Sequence, residues 1–246
     1  VPVVYLIRHG QASFGAADYD VLSPVGHQQA ELAGAALVRR GVRPTRVLAG
    51  SLLRQRDTAT SCVAAARFSL PVEIDPRFDE YSLRILDGGT GASLGSLGSS
   101  RSVQPLLDAA LLDWLRPASI EPGVGAELGS KRAGGAELGT TTAPVPAPEF
   151  GGLSWPEFRD GAVAAQRDLM ASLPSGGSAL AFTSGGVVAA ICADLLGLGA
   201  EGFVALNRVV VNTGITKIVS GRSGTSLLSF NDHAHLEGAA DLLTYR

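Results

Sequence analysis

Short apolar runs alternate with longer segments of mixed polarity through the first eighty residues. Val3-Val4-Tyr5-Leu6-Ile7 has no charged position, the pattern of a strand covered on both faces. Ser23-Pro24 then opens a helix that ends near Arg39-Arg40-Gly41, with Ser as N-cap, Pro at the first helical position and Gly past the end. Arg46 to Ala49 reads as a second strand, Leu52 to Ala66 as a second helix and Val72 to Ile74 as a short third strand. This βαβαβ rhythm predicts a parallel sheet wrapped by helices.

The rhythm breaks from Asp87 to about Gly152, where Gly, Ser and Pro dominate. One helix is predicted inside this stretch, Leu106 to Leu115, with Leu106, Leu107, Ala110, Leu111 and Trp114 on one face. Gly-Ala-Glu-Leu-Gly occurs twice, at 125–129 and 135–139, a short duplication and not a repeat architecture. The stretch reads as an irregular insertion at about residues 82–153, a surface loop or a lid. Regularity returns at Ser154-Trp155-Pro156-Glu157, a capping box opening a helix to about Leu173. Ala179 to Thr183 is the next strand and Gly186 to Leu196 the next helix. Val209 to Val219 and Thr225 to Phe230 follow as strands, joined tightly by Gly221-Arg222-Ser223-Gly224. The expectation is a single α/β domain over residues 1–246: three layers, a doubly wound and mostly parallel sheet, helices on both faces, and the insertion.

Composition narrows the classes. With 246 residues, 46% of them hydrophobic, the chain can bury a full core. Its net charge is −3 and its arginines are scattered, so it carries no electrostatic footprint for nucleic acid or an anionic membrane. An anionic ligand must then be small and locally bound. Cys62 and Cys192 fall in predicted helices far apart, which argues against a disulfide framework or a CxxC metal site and fits a reducing, cytoplasmic location. No apolar stretch approaches the roughly 20 residues of a membrane span. With the first strand opening at Val3, no leader segment is expected.

The candidate chemistry begins where the first strand ends, at Arg8-His9-Gly10. Ligands of open α/β sheets bind at the carboxyl ends of the strands, and glycine lets a ligand approach the main chain. Arg8 offers a permanently charged fork of donors that matches a phosphate or carboxylate, and a neutral imidazole beside it can attack. Two other patterns compete. Thr183-Ser184-Gly185-Gly186, with Asp232 and His235 downstream, follows the order of an α/β-hydrolase triad. However, Phe182 stands where its nucleophile elbow needs glycine, and that reading leaves Arg8-His9-Gly10 unexplained. His233 and His235 beside Asp232 form an H-x-H that reads either as a metal pair or as one structural and one exposed histidine. His27, among Gln28, Gln29 and Glu31, reads as a surface residue.

Leu6-Ile7-Arg8-His9-Gly10 followed by Leu22-Ser23-Pro24-x-Gly26-x-Gln28-x-Ala30 resembles the opening of the histidine phosphatase superfamily, in its phosphoglycerate-mutase-like branch. The resemblance implies that His9 is the nucleophile and becomes phosphorylated, with Arg8 holding the phosphoryl oxygens. The family's next segment is S-P-L-x-R-A-x-Q-T-A. Gly50-Ser51-Leu52-Leu53-Arg54-Gln55-Arg56-Asp57-Thr58-Ala59 aligns with it on the Arg-to-Thr spacing, which makes Arg54 the second phosphate ligand and Arg56 a decoy on another helix face. Phe78-Asp79-Glu80-Tyr81 is similar to the segment carrying the catalytic acid, so Glu80 is the implied proton donor.

In Ala181-Phe182-Thr183-Ser184-Gly185-Gly186-Val187 the chain departs from the family. Ser184 stands where a second histidine is expected; its hydroxyl and the Gly185 main chain are the implied replacements around the phosphate. Losing one preorganised donor can cost on the order of 10²–10³ in rate. Asn212-Thr213-Gly214-Ile215-Thr216 and Asn231-Asp232-x-x-His235-Leu236 are similar to late family segments. Family mutases carry a Trp-Asn pair where this chain has Phe14-Gly15, which favours hydrolysis over mutase chemistry. The resemblance therefore implies a phosphatase that hydrolyses phosphate monoesters of small substrates through phosphohistidine, without metal or cofactor. Its alternatives are a mutase-type phosphotransferase and a domain that binds phosphorylated ligands without turning them over.

Overall fold

The computed structural model describes residues 1–13, 20–84, 108–109, 111–116, 149–151 and 153–245. Six strands form the main sheet: β1 (Val3–Arg8), β2 (Arg46–Ala49), β3 (Val72–Ile74), β6 (Ser178–Thr183), β7 (Ile215–Gly221) and β8 (Gly224–Asp232). β4 (Ser82–Arg84) and β5 (Glu149–Gly151) pair separately. The helices are α1 (Pro24–Arg39), α2 (Leu53–Ala66), α3 (Trp155–Ala171), α4 (Gly185–Leu196) and α5 (Ala200–Val209).

The sheet order is β3-β2-β6-β1-β7-β8. β3, β2, β6 and β1 are parallel, whereas β7 and β8 close the other edge antiparallel. Side chains alternate between two cores, because successive Cβ atoms of a strand point to opposite faces. Val4, Leu6, Ala179, Ala181 and Leu48 face the core built with α3, α4 and α5. Ile7, Leu180, Phe182, Val47 and Ala49 face the core under α1 and α2. Both faces are thus covered, which is why the parallel strands read as continuous apolar runs. The layered, mostly parallel architecture expected from the sequence is the observed one.

Local signals set the element ends. Ser23 Oγ caps α1 by accepting from Gly26 N–H at 3.1 Å, Pro24 occupies the first helical turn, and Gly41 leaves the helix at φ +68°. Glu157 completes the box at the start of α3, its carboxylate accepting from Ser154 N–H at 2.8 Å. β7 and β8 meet through the two residues between Gly221 and Gly224, with Gly224 at φ +107°.

One expectation needs correction. The strand read from Val209 begins only at Ile215, and α5, unrecognised in the sequence, occupies Ala200–Val209. The β-branched run at 209–211 looks like a strand, yet Val210 and Val211 are buried in a connection. That connection turns through Thr213 at φ +57°, and its backbone is satisfied by Asn231, whose side chain accepts from Val211 N–H and donates to Val209 O. At the borders of the expected insertion, Ser82–Arg84 pairs antiparallel with Glu149–Gly151. Residues 111–114 are helical, as expected, with Leu111 and Leu115 buried. Leu106, Leu107 and Ala110, the duplicated pentapeptide and Phe14-Gly15 lie outside the described residues.

Candidate active site

The carboxyl ends of three adjacent parallel strands meet at one place. β1 delivers Arg8 and His9, β6 delivers Thr183 and Ser184, and β2 leads through Gly50 into α2 with Arg54. Arg8 pairs with Thr183 in the sheet register, and His9 N–H donates to Thr183 O at 2.8 Å.

His9 is held from several sides. Its carbonyl accepts from Asn212 Nδ2 at 3.0 Å, and the next residue, Gly10, donates its N–H to Thr58 Oγ1 at 2.9 Å. The imidazole is 5% exposed. Its Nδ1 lies 2.7 Å from Gly10 O, and a carbonyl only accepts, so Nδ1 carries the proton. Nε2 therefore presents a lone pair, which receives Arg54 Nε–H at 3.3 Å. Burial, then the neighbouring charges of Arg8 and Arg54, hold the His9 pKa well below its ordinary value. The ring is a neutral base at neutral pH.

The two arginines are held differently. Arg8 donates to Val210 O, and its guanidinium lies beside Gly185, where a Cβ would meet Nε at an ordinary van der Waals 3.6 Å. Arg54 is oriented by Asp20: Arg54 Nη1 donates to Asp20 Oδ1 at 2.7 Å while Asp20 Oδ2 accepts Leu53 N–H at 2.7 Å. One carboxylate thus caps α2 and fixes its arginine. Arg56 is exposed on another face of α2, as the helical spacing requires.

Glu80 and Asp79 part company. Asp79 turns to Ser51 and accepts from both its N–H and its hydroxyl. Glu80 turns to the start of α4, where Oε2 accepts Gly186 N–H at 3.1 Å and Oε1 accepts Tyr81 N–H at 3.3 Å. Desolvation raises the Glu80 pKa, although the Gly186 N–H, Arg54, Arg8 and the Tyr81 N–H all favour its anion. A carboxyl group close enough to feel both arginines is thereby kept more readily protonated.

Ser184 is wholly buried, and its Oγ accepts from Gln55 Nε2 at 2.8 Å. Gly185 follows as the first residue of α4, beside Arg8. Sequence reasoning missed three supporting residues: Asp20, Gln55 and Thr58. Asp20 and Gln55 act across long sequence separations and leave no local signal. Thr58 matches the threonine of the arginine-bearing motif and joins Gly10 N–H to Arg54 O.

The competing patterns disperse. Ser184 is bonded to Gln55, Asp232 pairs with Arg40, and His235 Nε2 contacts Thr213 Oγ1 at 3.1 Å, so no triad forms among them. His233 Nδ1 donates to Asn231 O, and among the described residues no group of three or more His, Cys, Asp or Glu is arranged to hold a metal. His27 is exposed, with Nδ1 3.0 Å from Ser61 Oγ. Burial pushes the Cys62 and Cys192 thiols up to about 12, leaving both as inert core residues. No helix among the described residues is long and apolar enough to cross a membrane.

The sequence profile of the histidine phosphatase superfamily (branch 1) matches residues 4–97 and 134–233, most of the chain. The chain belongs to that superfamily. Solved structures share its fold. A mycobacterial glucosyl-3-phosphoglycerate phosphatase complexed with VO3 is 22% identical, aligns over 94% of this chain and 99% of its own, and gives a TM-score of 0.61. Bacillus stearothermophilus YhfR is 16% identical over 96% of this chain and 100% of its own, with a TM-score of 0.66. A phosphoserine phosphatase mutant from Entamoeba histolytica, in complex with phosphoserine, is 19% identical over 96% and 100%, with a TM-score of 0.59. No curated protein matches the chain. In this histidine phosphatase superfamily member Arg54 thus bonds His9, and Glu80 lies near enough to Arg8 and Arg54 for their charges to favour its anion.

Proposed function

We propose that this protein hydrolyses phosphate monoesters of small molecules through a phosphohistidine on His9. The observation that carries this reading is the state of the imidazole: Nδ1 is committed to Gly10 O, and the unprotonated Nε2 faces the Arg54 guanidinium. A phosphoryl oxygen arriving there takes over the Arg54 donor and frees the lone pair for attack. Nε2 then forms a bond to phosphorus in line with the departing ester oxygen. Arg8 and Arg54 neutralise charge on the equatorial oxygens, with the Gly185 main chain bordering them and Ser184 supporting that turn from within.

Glu80 gives its proton to the leaving oxygen as the P–O bond breaks. The resulting carboxylate takes a proton from water, whose oxygen attacks phosphorus, and the P–N bond breaks to release inorganic phosphate and neutral His9. The two guanidinium groups supply the positive charge that a metal would otherwise bring, so activity is expected to survive EDTA.

The test is turnover of para-nitrophenyl phosphate with and without EDTA, with His9→Ala as control, and trapping of the intermediate. Turnover that His9→Ala abolishes, with acid-labile phosphate on His9, supports the reading. No turnover by the intact chain over a wide pH range overturns it and leaves a phosphate-binding domain; a strict divalent-metal requirement overturns the mechanism.

A further inference from the structure

We infer that Gln55 is the positioning residue for Glu80, an inference that rests on the phosphatase reading above. Gln55 follows Arg54 in the first turn of α2 and is wholly buried. Its Nε2 donates to Phe78 O at 2.9 Å and to Ser184 Oγ at 2.8 Å, so both amide hydrogens are committed. Phe78 stands two residues before Glu80, and its carbonyl also accepts Thr183 Oγ1–H at 2.7 Å. Ser184 immediately precedes Gly185-Gly186, and Gly186 N–H holds the Glu80 carboxylate at 3.1 Å. One planar amide therefore ties together the loop that carries the acid, the helix terminus that receives its carboxylate, and the helix that carries Arg54.

Three further observations single this amide out. Gln55 Oε1 is buried without a hydrogen-bond partner, a cost in stability that a methionine of similar length would avoid. The β2–α2 turn is also shaped for it, since a Cβ at Gly50 would lie 1.9 Å from Gln55 Oε1. Moreover, the motif that the chain resembles has alanine at position 55 and histidine at 184. The two departures are bonded to each other.

Positioning of an acid has a kinetic signature that general loosening of a fold lacks. A poor leaving group depends on protonation far more than a good one. The test compares para-nitrophenyl phosphate with phenyl phosphate, two esters of similar shape, on the intact chain carrying Gln55→Met. We expect kcat/KM, which reports formation of the phosphohistidine common to both esters, to fall about tenfold more on phenyl phosphate than on para-nitrophenyl phosphate, while inhibition by inorganic phosphate stays within about threefold of the parent because both arginines remain.

Gln55→Glu supplies the second arm. Its side chain can donate to Phe78 O only when protonated, so phenyl phosphate turnover is expected to recover relative to the parent as pH falls. If Gln55→Met does not fold, this acid-side recovery decides: recovery supports the role and a parent-like pH profile overturns it. Parent turnover with an unchanged ester ratio in Gln55→Met overturns the positioning role alone. Absence of turnover by the parent overturns the phosphatase reading and this inference with it.

Discussion

The Glu80 carboxylate occupies the space that a side chain at Gly186 would need. Its Oε2 accepts the Gly186 N–H at 3.1 Å, while a Cβ at residue 186 would lie 2.2 Å from Oε1 and 2.3 Å from Tyr81 Cε1. The absence of a side chain at the start of α4 is thus what admits the proposed acid. Gly186→Ala is expected to expel Glu80 and lower kcat on an aryl phosphate by about 10² or more. The same change costs about 1–3 kcal/mol of stability through overpacking. Steady-state kinetics beside a denaturation curve separates the two, and wild-type kcat in the alanine variant would remove Glu80 from the mechanism.

In the proposed mechanism the opposed shifts of His9 and Glu80 set the pH dependence. His9 sits well below 6.5, so its neutral, nucleophilic form persists into acid, and the acid limb of kcat/KM lies well under that value. Glu80 sits above 4.5; its proton is present below its folded pKa and lost as pH rises through it, which produces the basic limb. Glu80→Gln is expected to lower activity and to abolish that basic limb. A basic limb that survives in Glu80→Gln would assign it to another group.

Stability follows the same two groups with opposite signs. Folded Glu80 binds its proton more tightly than the unfolded chain does, so its contribution is present below 4.5 and fades as pH rises through the folded pKa. Folded His9 resists protonation, so its contribution is present above 6.5 and fades as pH falls toward its depressed pKa. His9→Ala is therefore expected to lose less thermal stability than the parent when pH is lowered below 6.5. Parallel Tm-against-pH curves for the two chains would contradict this.

Gly10 and Gly26 cross backbone to backbone. A Cβ at Gly10 would lie 2.4 Å from Gly26 O, and one at Gly26 would lie 2.2 Å from Gln11 O. Gly26→Ala is expected to cost about 1–3 kcal/mol and to reduce activity by displacing the His9 turn from α1. Gly161→Ala, inside α3 with open space around its Cβ position, is expected instead to stabilise by about 0.5–1 kcal/mol. Urea unfolding of the two variants should move in opposite directions.

Asp20 holds both Arg54 and the first turn of α2. Removing it in Asp20→Ala is expected to lower kcat/KM by about tenfold, the scale seen when a supporting partner is lost from a site. Inhibition by inorganic phosphate should weaken in parallel, since Arg54 is the group released. Unchanged phosphate inhibition would show that Arg54 keeps its place without Asp20.

The strand and helix alternation of the first eighty residues was legible because burial on both faces writes itself into local composition: β1, α1, β2, α2 and β3 all occur close to their expected bounds. α5 was not: the valines at 209–211 suggest a strand, whereas Phe203 and Val204 bury against the core from a helix that ends at Val209. Among the candidate residues, motif spacing separated Arg54 from Arg56 and Glu80 from Asp79; the structure bonds Arg54 to His9 and Glu80 to Gly186, and turns Arg56 to solvent and Asp79 to Ser51.

By itself the sequence determined the layered α/β fold and the position of Arg8-His9-Gly10 at a strand end, since both follow from patterns within a few residues. Only the tertiary structure decided that Nε2 is the unprotonated nitrogen of His9, that Ser184 faces Gln55, and that Asp20 orients Arg54. The first of those contacts is local but is set by how the chain leaves β1, and the other two join residues 129 and 34 positions apart. A side-chain amide at residue 55 meets a hydroxyl at residue 184 because β2 pairs with β6, and nothing local to either residue encodes that pairing.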